Sequence, residues 1–183
     1  MSDAEYRPAF SYESGVVSAR LAHGERALLR DIRFSLPAGA QMALIGETGS
    51  GKTMLALSIF GLLPENVRMQ GGSVRLDGQA LCGAKALARL RGTKLVYIPQ
   101  SGSEALDPTR TVGRQLCDSL RRLGVKGAQL RTLAMEKLCL AGFDAPETLL
   151  DKYPFQLSGG MAQRVTIALA ACSEARLLIA DEP

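Results

Sequence analysis

Apolar and polar positions along the chain follow two different periods, which together predict an α/β fold. Alternating stretches and short apolar runs predict strands, whereas apolar positions recurring every three or four residues predict helices. Strands are predicted at residues 15–21, 31–36, 42–45, 73–78, 94–98 and 177–180, with a turn at 23–26 and buried runs at 42–45 and 177–180. Helices are predicted from residue 52, at 85–91, at 161–172, and as a pair within 111–143 that Gly124 and Gly127 separate.

A glycine-rich turn joins the predicted strand 42–45 to the helix at Lys52 and fits the pattern G-x-x-x-x-G-K-[ST]. Its glycines are expected to take positive φ, so that backbone N–H groups point at a polyphosphate on the helix N-terminus. Lys52 would reach the phosphates, and the Thr53 hydroxyl would help to hold Mg²⁺. The alternative is a plain turn with a surface lysine. The candidate nucleotide-binding residues are Gly46, Glu47, Thr48, Gly49, Ser50, Gly51, Lys52 and Thr53.

Two acidic residues follow the last predicted strand. Asp181 and Glu182 come directly after the apolar run 177–180, and the carboxyl ends of parallel strands face the crevice where α/β sheets bind ligands. Asp181 is therefore a candidate partner of Mg²⁺, and Glu182 is a candidate to orient or deprotonate an attacking water. The alternative is a strand end capped by solvated acids. The phosphate-binding turn in the same sequence makes this alternative less favoured.

Composition narrows the class of protein without naming a function. The chain has 183 residues, 46% of them hydrophobic, and a net charge of +4, which fits one ordinary globular domain. Aromatic residues make up only 5%, and no basic cluster alternates with them, so nucleic acid is not expected as a partner. We expect neither a signal peptide nor a membrane span. The cysteines are widely spaced and are expected to be reduced and free of metal: Cys82, Cys117, Cys139 and Cys172.

Two further motifs resemble those of ABC-type ATPases. The stretch 157–164, LSGGMAQR, is similar to their signature motif, and 178–183, LIADEP, is similar to their Walker B strand with its catalytic glutamate, here Glu182. The resemblance implies that the signature loop contacts the γ-phosphate of ATP bound to the opposite subunit. Taken alone, Ser158 could simply cap a helix. The signature residues are Leu157, Ser158, Gly159, Gly160 and Met161.

The same resemblance gives roles to two residues outside these motifs. Gln100, which ends the predicted strand 94–98, matches the Q-loop glutamine, which touches Mg²⁺ and water and transmits the nucleotide state to the membrane partner. A lone glutamine in a loop is otherwise usually just solvated. His23 precedes the turn where the family has an aromatic residue stacked on adenine. Adenine stacking and an exposed turn histidine remain equal alternatives.

Several stretches narrow the resemblance to the ATP-binding subunits of peptide and nickel importers, among them 61–64, 105–108 and 153–158. That subfamily implies an ATPase, dependent on ATP and Mg²⁺, at the cytoplasmic face of the cell membrane. Its implied partners are a second ABC ATPase subunit, identical or not, a membrane-embedded permease and, indirectly, an extracytoplasmic solute-binding protein. The transported solute cannot be read from the motor subunit.

The family pattern implies a P-loop core with a parallel sheet, an antiparallel β edge and an inserted helical subdomain. We expect one incomplete domain over 1–183, divided into 1–100, 101–158 and 159–183, because the chain stops before the D-loop and the switch histidine of the family. We therefore expect weak nucleotide binding and poor hydrolysis from these residues alone. The alternatives are a non-catalytic nucleotide-binding fragment and a soluble ABC ATPase acting on nucleic acid or ribosomes.

Overall fold

The computed structural model describes residues 8–81 and 83–182, which fall into two compact units that divide between Leu90 and Arg91. Cys82 and Pro183 of the sequence predictions lie outside the described residues. Among the described residues, no helix combines the length and the apolar character needed to cross a bilayer. Each unit is an α/β arrangement of its own, and the expected mixture of antiparallel sheet, parallel strands and a helical region is confirmed.

The first unit is built on an antiparallel sheet with two packed helices. Its elements, in chain order, are β1 (Phe10–Leu21), β2 (Gly24–Arg30), β3 (Arg33–Leu36), α1 (Lys52–Phe60), β4 (Val67–Leu76), β5 (Gln79–Ala80) and α2 (Ala84–Leu90). The strand order is β2-β1-β4-β5, and β3 pairs with the first half of β1. The hydroxyl of Tyr12 on β1 lies 2.6 Å from Ser58 Oγ on α1, so a buried hydrogen bond ties the sheet to the helix.

One predicted strand in this unit does not form, one strand was missed, and one is longer than predicted. Residues 42–45 form no strand, and Ile45 is 92% exposed, because none of the described strands pairs with this apolar run. β2 was missed because the expected turn at 23–26 extends only to Gly24 before the chain pairs with the second half of β1. β4 is also longer than the predicted 73–78, since it pairs along nearly the whole of β1.

The second unit joins two parallel strands to a small helical bundle. Its elements are β6 (Leu95–Ile98), α3 (Val112–Arg122), α4 (Gln129–Leu140), α5 (Gly159–Ala170) and β7 (Leu177–Ala180), with short 3₁₀ helices at Gly102–Ala105, Pro146–Thr148 and Pro154–Gln156. Both strands and all three helices were predicted to within a few residues. β7 is less buried than expected, however, because Leu178 is 48% exposed.

The helical core follows the predicted periodicity. Apolar residues at spacings of three and four meet between the helices, and the buried set is Val112, Leu116, Leu120, Leu130, Ala134, Leu138, Ala162, Val165 and Ala168. Thr111 Oγ1 accepts a hydrogen bond from the backbone N–H of Arg114 at 3.3 Å and so caps α3. This bundle fixes the start of α5, where the signature motif lies.

Candidate functional site

The phosphate-binding turn has the backbone that its sequence predicts at two of its three glycines. Gly49 and Gly51 take φ of 82° and 99°, whereas Gly46 does not have positive φ, which corrects that expectation. The left-handed backbone of Gly51 favours glycine there, and a Cβ would also lie 2.7 Å from Leu29 Cδ2, so that side chain would have to move. α1 begins at Lys52, with Gly51 as its N-cap residue and without a side-chain cap.

The Lys52 ammonium folds back over this turn. Its Nζ donates to the carbonyl oxygens of Gly46 at 2.8 Å and Glu47 at 3.0 Å. The backbone N–H of Ser50 also donates to Glu47 O at 3.1 Å, which closes the turn. A flexible cation held by neutral carbonyls can transfer to a phosphate that enters the turn, because a charged acceptor makes the stronger hydrogen bond. The turn is exposed throughout residues 46–50, so such an anion has access to it.

At the carboxyl ends of β6 and β7 the structure brings together three of the predicted residues. Asp181, Glu182 and Gln100 all lie where the two parallel strands end, as the sequence indicates. The backbone N–H of Asp181 donates to Ile98 O at 2.9 Å and continues the pairing of the strands by one residue. The two adjacent carboxylates therefore share one edge of this small sheet.

Each of these carboxylates has its own side-chain donor. Tyr97 Oη donates to Asp181 Oδ2 at 3.1 Å, and Gln100 Nε2 donates to Glu182 Oε2 at 2.7 Å. Burial, and secondarily the negative charge of Asp181, raises the pKa of Tyr97 to about 12, so the phenol remains a donor at neutral pH. Glu182 has φ of 47°, an uncommon conformation for a residue with a side chain. The two carboxylates are thus held separately and can take different roles.

The signature motif forms the start of α5. Ser158 Oγ accepts a hydrogen bond from the backbone N–H of Met161 at 3.3 Å, as expected for a helix cap. A Cβ on Gly159 or Gly160 would meet no atom within 4 Å, so both glycines face open space. Capping does not conflict with anion binding, because the remaining N–H groups of the first turn stay exposed beside these glycines.

The loop after β6 packs directly on α5, a contact that the sequence did not predict. A Cβ on Gly102 would lie 2.4 Å from the backbone nitrogen of Gln163, so only glycine fits between loop and helix. Thr166 Oγ1 donates to Gly102 O at 3.1 Å, and Gln163 Nε2 lies 3.4 Å from Pro99 O. The segment carrying Gln100 is therefore attached to the signature helix.

His23 lies at the exposed turn between β1 and β2. The hairpin that carries it is fixed by Glu25, whose carboxylate accepts hydrogen bonds from Ser18, Arg68 and Gln70. The Ser18 hydroxyl and then the Arg68 guanidinium lower the pKa of Glu25. An exposed imidazole on a fixed hairpin is compatible with either alternative, a stacking platform or a solvated turn.

The donor set suits magnesium rather than a softer metal. Carboxylate, hydroxyl and amide oxygens are the ligands that Mg²⁺ prefers, usually together with water and substrate phosphates. Thr53 carries a hydroxyl of this kind in the first unit, and Gln100 and Asp181 carry an amide and a carboxylate in the second. Within the described part of the chain, no cluster of three or more His, Cys, Asp or Glu side chains could hold a metal ion by itself. The described cysteines, Cys117, Cys139 and Cys172, are free thiols.

Comparison with known families gives a match over most of the chain. Residues 29–183 match the family described as ABC transporter. The chain belongs to the ABC transporter family. This match includes the turn at 46–53, Gln100, the signature motif and the acidic pair, so the four motifs of the ABC resemblance fall within one family match.

Two curated relatives show which branch of the ABC family is similar. The metal-staphylopine import system ATP-binding protein CntD of Staphylococcus aureus is 35% identical over 162 residues, covering 87% of this chain and 59% of the relative. The oligopeptide transport ATP-binding protein OppD of Mycobacterium tuberculosis is 40% identical over 161 residues, covering 85% of this chain and 26% of the relative. The chain thus spans between about a quarter and three fifths of the length of these relatives.

Solved structures of ABC cassettes share the fold. A dimeric ATP-binding cassette in a post-hydrolysis state with ADP and Pi superposes with a TM-score of 0.80 at 24% identity, covering 94% of this chain and 73% of that one. CbiO1 from Clostridium perfringens, part of the transporter complex cbiONQ, gives a TM-score of 0.72 at 22% identity, covering 97% and 66%. At this level of identity the likeness establishes the fold alone, and the site residues rest on the motifs and the geometry above.

Proposed function

We propose that this protein is the ATP-binding and ATP-hydrolysing subunit of an ABC-type importer for peptides, nickel or a related small solute. The observation that carries the proposal is the phosphate-binding turn with Lys52 folded over its carbonyl oxygens. The acidic pair at the carboxyl ends of β6 and β7, which has the family's Walker B pattern, also supports the proposal. The names of the relatives, an oligopeptide transporter and a metal-staphylopine importer, support the branch and the solute class.

In this proposal the turn binds the phosphates of ATP. Its backbone N–H groups and the N-terminus of α1 contact the oxygens, and Lys52 exchanges two neutral carbonyl partners for the β and γ phosphates. Thr53, Asp181 and Gln100 would hold Mg²⁺, which would neutralise charge on the phosphates. Glu182 orients the attacking water and accepts its proton. His23 would contribute an imidazole face to adenine.

Hydrolysis requires Glu182 to leave the partner it has in this structure. Its Oε2 accepts a hydrogen bond from Gln100 Nε2 at 2.7 Å, and this donor occupies a position that an attacking water would need. Turning Gln100 towards Mg²⁺ would release Glu182 to a water molecule. Because the Gln100 loop is attached to α5 through Gly102, this movement and the position of the signature motif would be linked.

The signature residues 157–161 would act on the ATP bound to a second ABC subunit, identical or not, in a head-to-tail pair. The open space at Gly159 and Gly160 supports such an approach. A permease in the membrane and, through it, an extracytoplasmic solute-binding protein complete the proposed importer. This subunit would then sit peripherally on the cytoplasmic face of the cell membrane.

Replacing the turn's lysine tests whether the turn binds ATP. Lys52→Ala should weaken ATP binding by about 10- to 100-fold, because one charge-assisted hydrogen bond to phosphate is lost. The matched control is Lys126→Ala, which removes an exposed lysine outside the site. Equilibrium titration with a fluorescent ATP analogue measures both. Equal affinity of Lys52→Ala and wild type would refute nucleotide binding at this turn.

A further inference from the structure

The pairing of β6 with β7 places one tyrosine beside the acidic residue proposed to bind metal. In the parallel register, Tyr97 lies opposite Ile179 and Ile98 lies opposite Ala180. Side chains two residues apart on a strand point to the same face. Asp181, two residues beyond Ile179, therefore projects from the face that carries Tyr97, and a long phenol can reach it diagonally.

Two hydrogen bonds fix Asp181, one at its backbone and one at its side chain. Its backbone is held by the N–H donation to Ile98 O at 2.9 Å, and its Oδ2 accepts from Tyr97 Oη at 3.1 Å. The tyrosine is partly buried between its neighbours on β6, so its hydroxyl is costly to leave without a partner. With backbone and Oδ2 both fixed, the rotation of the carboxylate and hence the direction of Oδ1 are set.

We propose that Tyr97 is a positioning residue that aims the Asp181 carboxylate at the Mg²⁺ of bound nucleotide. The inference rests on the proposed function, since it assigns a partner to the metal ligand of that same site. Carboxylates that bind metals are themselves commonly oriented by hydrogen bonds, and removing such a partner weakens metal binding. Fixing the carboxylate before metal arrives removes the entropy cost of ordering it then.

Tyr97 acts on Asp181 and not on the adjacent carboxylate. Glu182, the adjacent carboxylate, takes its hydrogen bond from Gln100 instead. Loss of the Tyr97 hydroxyl should therefore lower the affinity for metal and leave the contacts between the phosphate-binding turn and ATP unchanged. If the variant instead lost packing in general, the affinity for metal and the affinity for ATP would both fall.

Tyr97→Phe in the full chain is the direct test, because it deletes the hydroxyl and keeps the ring. We expect the dissociation constant for Mn²⁺ in the presence of ATP, followed by electron paramagnetic resonance, to rise about 10-fold. Binding of a fluorescent ATP analogue in EDTA should be unchanged. Tyr153→Phe, which removes a hydroxyl from an exposed ring elsewhere, should change neither quantity.

Two results would overturn the inference and can be told apart. Mn²⁺ affinity of Tyr97→Phe within about twofold of wild type, with ATP and Mn²⁺ binding intact in wild type, would reject the positioning role alone. Absence of ATP binding in folded wild type would reject the proposed function together with it.

A stability cycle tests the same contact without nucleotide. The urea midpoints of Tyr97→Phe, Asp181→Ala and the double variant should be non-additive, because each single change removes the same hydrogen bond. Additive midpoint shifts would show that the two groups do not interact and would also overturn the inference.

Discussion

At the scale of single residues, burial separates side chains that look alike in the sequence. Cys139 is exposed, whereas Cys172 is buried in the helical core. Burial raises the pKa of the Cys172 thiol to about 11, and burial is also the main cause that raises the pKa of Cys117. A higher pKa leaves less of the reactive thiolate at a given pH.

The rates of alkylation should reflect the difference in burial among these thiols. With iodoacetamide at about pH 8, Cys139 should react first, Cys117 more slowly and Cys172 last, because access falls along that series and burial raises the pKa of the last two thiols. A Cys82→Ser background removes the thiol that lies outside the described residues. Mass spectrometry of the peptides gives the rates, and urea should make the three alike. Native Cys172 reacting as fast as Cys139 would contradict the buried core.

Contacts of single side chains were only partly predictable from the sequence. The turn, Gln100, Asp181, Glu182 and Ser158 were recognisable because each belongs to a motif of fixed spacing. Tyr97 carried no such signal, since its contact with Asp181 depends on the register between strands about 80 positions apart in the chain. The fold of Lys52 onto Gly46 and Glu47 likewise depends on a backbone shape that the motif does not specify.

At the scale of elements, the loop after β6 and the helix α5 form one assembly. The backbone of Gly102 lies against Ala162 and Gln163, and Thr166 donates to its carbonyl oxygen. No side chain fits between them, so the position of Gln100 depends on that of the signature helix. This link supports the proposed coupling between the Q-loop and the signature motif.

Gly102→Ala should destabilise the protein by about 1–3 kcal/mol, because the new methyl overlaps the α5 backbone and forces a shift. The matched control is Gly160→Ala, where a Cβ meets no atom within 4 Å; a helical alanine there should be neutral or slightly stabilising. Urea denaturation of the two variants measures the difference. Equal midpoints would show that loop and helix are not in close contact.

Elements with local signals were predicted well, and elements that depend on distant partners were not. The helices α3 and α4 follow from apolar spacing and from Gly124 and Gly127 alone. The run 42–45 has equally apolar residues, yet a strand also needs a neighbour for its backbone groups, and no described strand supplies one. β2 is the opposite case. Its start at Gly24 has no strong strand pattern, yet it forms a strand because it pairs with β1.

At the scale of the whole molecule, the exposed apolar run 42–45 is unfavourable in an isolated chain. Met42, Leu44 and Ile45 are apolar and exposed directly before the phosphate-binding turn. Unpaired apolar backbone favours association with other chains. We therefore expect the run to be covered when the protein is assembled with its proposed partners.

If Glu182 acts on the attacking water, ATP turnover should depend on this carboxylate. In protein purified with its partner chains, ATP hydrolysis that depends on Mg²⁺ should fall by about 100-fold or more in Glu182→Gln. ATP binding should persist, and Glu147→Gln, an exposed glutamate outside the site, should hydrolyse ATP like wild type. Undiminished hydrolysis by Glu182→Gln would contradict the account.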